Sequence, residues 1–474
     1  MVNRAKHIIK SEHASVEQQP RIRISDDLMK ISLPEASRLN QKEFTYGVAT
    51  ASFQIEGGYD SRLPCIWDTF CSTQGKIRDG SDGKSACEHL KLWKEDIELI
   101  DSLNVDAYRL SLSWGRVINQ DGSVNSEGID FYIQLLDALK RKKIKAFVTL
   151  YHWDLPQHIE DNGGWLNRET AFLFQDYADK VSQILGDRVY SYATLNEPFC
   201  SSYLGYEAGI HAPGLAQVSY GRQAAHHLLL AHGLAMQVLQ KNAPHSLNGI
   251  VLNFTPCYPV SDSLQDKKAA ALADEYFNQW YIKPLFDGRY PDIMGSLEDK
   301  DKPVILAGDM DILTQPLDFL GVNFYTRNRY QHCPEQRFKE ITMPDVPRTD
   351  IGWEIYPQAF TDLLISLDKS YQLPPIYITE NGAAMDDKLI AQSVNDLDRV
   401  QYYQGHLEAL DKAIEAGVNI QGYFAWSLMD NFEWAEGYLK RFGLVYVDYN
   451  TQVRTIKASG LAYRDFITAR HTDN

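Results

Sequence analysis

The chain has 474 residues, of which 44% are hydrophobic, 12% aromatic and 23% charged, the balance of a folded globular protein rather than a disordered one. That length exceeds an average domain but suits one large α/β barrel. A formal net charge of −16 argues against binding to nucleic acid or an anionic membrane, because phosphate contact needs clustered cations.

Residues 1–40 are polar, mixed in charge and weakly periodic, and read as a tail ahead of a single domain spanning 41–470. No apolar block between Met1 and Lys30 resembles a signal peptide, and no membrane-length apolar run follows, so a cytoplasmic location is expected. From Phe44 onward, short runs rich in β-branched and aromatic residues alternate with amphipathic stretches, the pattern of parallel β-α units. Strands are predicted over 44–53, 107–113, 146–151, 190–195, 249–254, 319–324, 375–379 and 421–426. Between them, Trp93, Ile97, Ile100 and Leu103 share one helical face; so do Ile129, Tyr132, Ile133, Leu136 and Leu139. Eight such units predict the α/β class and a single (β/α)8 TIM barrel. The stretches 71–87, 258–268 and 327–352 read as long loops at its mouth. The densest basic run, Lys140-Arg141-Lys142-Lys143, closes a predicted helix and reads as a solvated face. Six cysteines without metal-ligand spacing read as reduced thiols.

In such barrels chemistry sits where strands run out into loops. Those positions carry Gln54 and Glu56, Arg109, His152-Trp153-Asp154, Asn196-Glu197-Pro198, Asn323 and Tyr325, Glu380-Asn381-Gly382, and Trp426 leading to Glu433-Trp434. Two glutamates thus leave strands four and seven around one mouth, as hydrolysis of a glycoside with retention requires: one carboxylic acid protonates the departing oxygen, and a carboxylate about 5–5.5 Å away attacks the anomeric carbon. Amides and rings around them suit hydroxyls and the apolar face of a sugar. Each residue alone has an ordinary structural reading: Glu-Asn-Gly resembles a tight turn, and His152 a core histidine. The combination favours chemistry. Other motifs fail. Gly83-Lys84-Ser85 lacks the leading glycine of a phosphate loop, since position 78 is Arg78, and His226, His227 and His232 lack a zinc pattern.

Thr194-Leu195-Asn196-Glu197-Pro198 and Ile378-Thr379-Glu380-Asn381-Gly382 resemble the acid/base and nucleophile motifs of glycoside hydrolase family 1, the β-glucosidase family. The resemblance runs from Phe44-Thr45-Tyr46-Gly47 to Arg441-Phe442-Gly443 and on to Tyr449. It implies Glu197 as acid/base, Glu380 as nucleophile, and Arg109 and Tyr325 as supports of Glu380. It further implies Gln54, His152, Trp153, Asn196, Asn323, Trp426, Glu433, Trp434 and Phe442 as sugar-binding residues. No cofactor or metal is implied. The expected partner is a small-molecule β-glycoside, with no nucleic acid or membrane; a homo-oligomer is left open. Glu433 disfavours the main alternative, a 6-phospho-β-glycosidase, by repelling phosphate. Both glutamates being present disfavours a non-catalytic sugar-binding relative. One departure is Phe199, where the family commonly has tryptophan, which leaves less stacking area for the aglycone.

Overall fold

Eight parallel strands close on themselves in the computed structural model, which describes residues 30–470. They are β1 (Thr45–Ala49), β2 (Ala107–Ser111), β3 (Lys145–Tyr151), β4 (Ser191–Asn196), β5 (Leu247–Phe254), β6 (Phe319–Phe324), β7 (Ile376–Asn381) and β8 (Ile420–Trp426). Each pairs in parallel with its sequence neighbours, and β8 returns to β1 in the register Thr45↔Gly422 to Ala49↔Trp426. Their near-continuous burial follows from helices outside and side chains within. The barrel interior is plugged by large rings set against small residues: Phe147, Phe319, Tyr377 and Phe424 among Ala49, Ala107 and Ala193. Phe147 meets Phe424 edge-on with ring centroids 4.8 Å apart, so the barrel has a packed core rather than a pore.

The outer helices are α1 (His89–Ser102), α2 (Ser126–Arg141), α3 (Glu169–Leu185), α4 (Val218–Asn242), α5 (Leu264–Asp274), α6 (Trp280–Asp287), α7 (Gln358–Ser370), α8 (Leu397–Glu415) and α9 (Ala458–Ala469). On α2 the predicted face is the packed one: Ile129, Tyr132, Leu136 and Leu139 are buried. Lys140 and Lys142 at its end pair with Asp187, and with Glu98 and Asp101, across solvated surface. Such pairs contribute little stability. Among the described residues no helix is long and apolar enough to cross a membrane.

Two expectations change. The first strand ends at Ala49, and Ser52–Ile55 is a helical turn, so Gln54 projects from a helix rather than a strand end. The stretches 258–268 and 327–352 are not simple loops. Cys257–Pro259, Asn328–Cys333 and Gln336–Glu340 form a three-stranded sheet, and α5 begins at Leu264. These strands carry few apolar residues, so period-two alternation is faint; Tyr330 and Phe338 nevertheless pack on Phe277 beneath them. Of the tail, residues 1–29 lie outside the described residues. Leu39 is fully buried and Ser37 Oγ donates to Asp411 Oδ1 of α8 at 2.6 Å, so the end of that stretch is docked on the barrel.

Candidate active site

Strand pairing is irregular immediately before both motif glutamates. The β4–β5 register shifts between Ala193 and Asn196, and the β6–β7 register shifts between Ile378 and Glu380. An extra residue in a ladder re-aims the side chains that follow it. Glu197 completes the turn at φ +48°, a left-handed backbone that a non-glycine residue adopts only when its surroundings impose it. Trp153 (φ +79°) and Trp434 (φ +50°) are held the same way. Gly382 has a different reason: a Cβ there would lie 1.8 Å from the carbonyl oxygen of Trp426, so only glycine lets β7 and β8 run on together. The motif is therefore more than a tight turn.

These strand ends surround a cavity of about 670 Å³. Glu197, Glu380 and Glu433 line it, with Trp153, Trp426 and Trp434 as aromatic walls. Asn323, Tyr325 and Phe442 also reach it. Arg109, Asn196, His152 and Gln54 form a layer of buried polar groups beside it. Arg109 Nη1 donates to Glu380 Oε1 at 2.6 Å, and its Nη2 to Asn196 Oδ1 at 2.7 Å. Tyr325 OH donates to Glu380 Oε2 at 2.5 Å. Asn323 Nδ2 donates to Glu197 Oε1 at 2.6 Å, while Thr379 Oγ1 donates to Asn323 Oδ1 and fixes that amide. Asn323 Nδ2 also donates to Asn196 Oδ1 at 3.1 Å, so one side-chain amide links Glu197 to the partner of Arg109.

The two glutamates are equally buried but differently partnered. Burial, and next the charge of Glu380, push the Glu197 carboxyl up. Burial raises Glu380 as well, but the Arg109 guanidinium and the Tyr325 hydroxyl pull against it. The Tyr325 phenol, driven far up by burial and by Glu380, remains a donor. Glu433 is pushed up to about 8 by burial, then by Glu380 and Glu197. The surroundings thus differ: a cation and a phenol oppose the rise at Glu380, whereas at Glu197 the charge of Glu380 adds to it.

Several buried polar atoms have no protein partner, among them Gln54 Oε1, His152 Nδ1 and Glu433 Oε2. Gln54 Nε2 is already spent on Asn431 Oδ1 and the Phe432 carbonyl. His152 Nε2 pairs with Asn196 Nδ2, so it accepts and the ring proton sits on the unpartnered Nδ1. Burial and Arg109 keep that imidazole neutral. A buried unpaired donor or acceptor costs free energy until a hydroxyl meets it. Trp426, stacked on His152 with centroids 5.9 Å apart, forms a flat floor. Phe199 lies against Tyr203 at 5.1 Å on the outer wall.

Sequence reasoning missed Trp353, which packs on both Tyr325 and Phe442, and the polar wall of Asn278, Asn328 and Glu340. Both lie in or beside the inserted sheet, which carried no clear periodic signal. It also missed Cys200, whose Sγ lies 3.1 Å from Glu197 Oε2; the i, i+3 spacing on a turn was the available clue. Among the described residues, no group of three or more His, Cys, Asp or Glu is arranged to hold a metal ion. His226 pairs with Tyr290 and Asp309, and His232 Nδ1 with Thr194 Oγ1, both structural contacts.

Known proteins share this architecture. Residues 37–472 match the pattern of glycosyl hydrolase family 1. A β-glucosidase of Agrobacterium sp. is 46% identical over 432 residues, 89% of this chain and 94% of that protein. A bifunctional β-D-glucosidase/β-D-fucosidase of Bifidobacterium breve is 42% identical, covering 90% and 97%. Among solved structures, a Thermotoga maritima family 1 glycoside hydrolase complexed with a cyclophellitol analogue transition state mimic superposes with a TM-score of 0.88. It is 39% identical, over 93% of this chain and 99% of that one. With motifs, barrel and comparisons in agreement over nearly the whole length, the chain belongs to glycosyl hydrolase family 1.

Proposed function

We propose that the protein hydrolyses unphosphorylated β-glucosides with retention of anomeric configuration, through a covalent glycosyl-enzyme on Glu380. The observation that carries this reading is the asymmetric pair: Glu380 held by Arg109 and Tyr325, Glu197 beside it without a direct cation. Glu380 attacks the anomeric carbon as Glu197 passes its proton to the departing oxygen, and the aglycone leaves as an alcohol. Glu197, now a carboxylate, takes a proton from water, whose oxygen displaces Glu380 and returns the sugar as the β-anomer. Gln54, His152 and Glu433 offer their unpartnered atoms to sugar hydroxyls; Asn196 adds the remaining N–H of its amide, and Trp426 supports the ring face. Trp153, Trp434 and Phe442 close the wall around it. The names of the relatives point to glucose, with fucose a second glycone to test.

Phosphorylated sugars are disfavoured by charge. Among the described residues no lysine or arginine lines the cavity, whereas several glutamates do, so a phosphate dianion would lose water without gaining a cation. Two experiments test the reading. A preference for 4-nitrophenyl 6-phospho-β-glucoside over the unphosphorylated glucoside would overturn the substrate. Azide should rescue Glu380→Gly to an α-glycosyl azide and Glu197→Ala to a β-glycosyl azide; the opposite anomers would exchange the two roles.

A further inference from the structure

Glu197 has two oxygens, and each meets a donor of different strength. Oε1 takes the Asn323 amide N–H at 2.6 Å; Oε2 faces Cys200 Sγ at 3.1 Å. Cys200 opens the wide helical turn Cys200–Glu207 that follows Glu197, is nearly buried, and lines the same cavity. The turn fixes this meeting, because the Cys200 backbone N–H donates to the Glu197 carbonyl at 2.9 Å and Ser202 Oγ donates to the Pro198 carbonyl at 2.6 Å. With Oε1 committed to a strong amide donor, Oε1 is the carbonyl-like oxygen of the protonated acid. The transferable proton belongs on Oε2, the oxygen that the thiol faces.

We propose that Cys200 is a positioning residue for Glu197: its S–H donates to Oε2, orients the acidic proton toward the cavity and sets the pH at which the acid is lost. This rests on the acid/base reading of Glu197 given above. A thiol is a weak donor, so it steadies the oxygen without holding the proton back from the departing oxygen. Once Glu197 is ionised, the same S–H faces a charged acceptor and the bond strengthens. Cys200 therefore favours the ionised form and partly offsets what burial and Glu380 do. The thiol stays protonated throughout, because burial and the neighbouring Glu197 push its own ionisation well above the usual thiol range. The other groups facing Glu197 are Glu380 on β7, Arg109 on β2, Asn323 on β6 with Tyr325 just after it, and Glu433 after β8. A change at Cys200 leaves all of them in place.

The test compares pH profiles of kcat/KM for the wild type, Cys200→Val and Cys200→Ser on two substrates. Phenyl β-glucoside needs proton donation; 2,4-dinitrophenyl β-glucoside, whose leaving group departs unaided, does not. On phenyl glucoside, Cys200→Val should move the alkaline limb up by about half a pH unit, because the donor to the ionised form is gone. Cys200→Ser, with a stronger donor, should move it down. On the dinitrophenyl substrate both variants should keep the wild-type profile. Coincident alkaline limbs on phenyl glucoside, or equal losses on both substrates, would reduce Cys200 to a packing residue. If Cys200→Val does not fold, the direction of the serine shift decides alone. Glu197→Ala serves as the control: loss confined to phenyl glucoside keeps the acid reading intact while Cys200 is judged, and wild-type activity there would remove the acid itself.

Discussion

The ends of β4 and β7 present the same side chain at the same depth, yet among different partners. Glu197 is 5% exposed and Glu380 3%, so solvent does not separate them. Partners do. At β7 a guanidinium and a phenol close on the carboxyl; at β4 an amide and a thiol do. Burial alone would protonate both, and only the cation and phenol make ionisation of one tolerable. The lesson is that role follows the donor set rather than the residue type.

Breaking the β7 end should cost most. Glu380→Gly removes the attacking group, and kcat on 4-nitrophenyl β-glucoside should fall by on the order of 10⁵-fold or more. A variant retaining a tenth of wild-type turnover would place the nucleophile elsewhere. Breaking the β4 end should be milder and dependent on the substrate. Glu197→Ala should lower kcat/KM on phenyl glucoside by roughly 10²–10⁴-fold, the usual worth of acid catalysis, and far less on the dinitrophenyl compound.

Arg109→Met should blur the distinction between the ends. It leaves a buried carboxylate without its cation, and unfolding in urea should show a loss of about 3–5 kcal/mol. The proposed role of Glu380 requires the carboxylate, so activity should be present above its pKa and disappear as pH falls through it. Removing Arg109 raises that pKa, and the acid limb of kcat/KM should move to higher pH. Tyr325→Phe should move the same limb in the same direction by a smaller step, on the order of one pH unit, since a hydrogen bond is lost but the cation stays. An acid limb that moved downward in either variant would contradict the assignment of Glu380.

Much of this was legible along the chain. The helical face of α2 and the run Phe319–Phe324 obey local periodicity, which depends on residues a turn or a pleat apart. The inserted sheet was not legible. Asn328–Cys333 lacks alternation, and its strands are brought together by packing on Ala270 and Ala273 of α5 and on Phe277 of the segment that follows it. At the site, the sequence displayed the glutamates and most of their neighbours. That the Asn323 amide is engaged with Glu197 was visible only in the fold.

By itself, the sequence determined the alternation of strands and helices, the eight-unit count and the two acidic motifs, because each is written in near neighbours. Tertiary structure alone decided that no described lysine or arginine lines the cavity and that Cys200 faces Glu197. Those outcomes depend on barrel closure and on register shifts below the two glutamates. Electrostatic partnership acts over a few ångströms of space, and distance along a folded chain does not encode it.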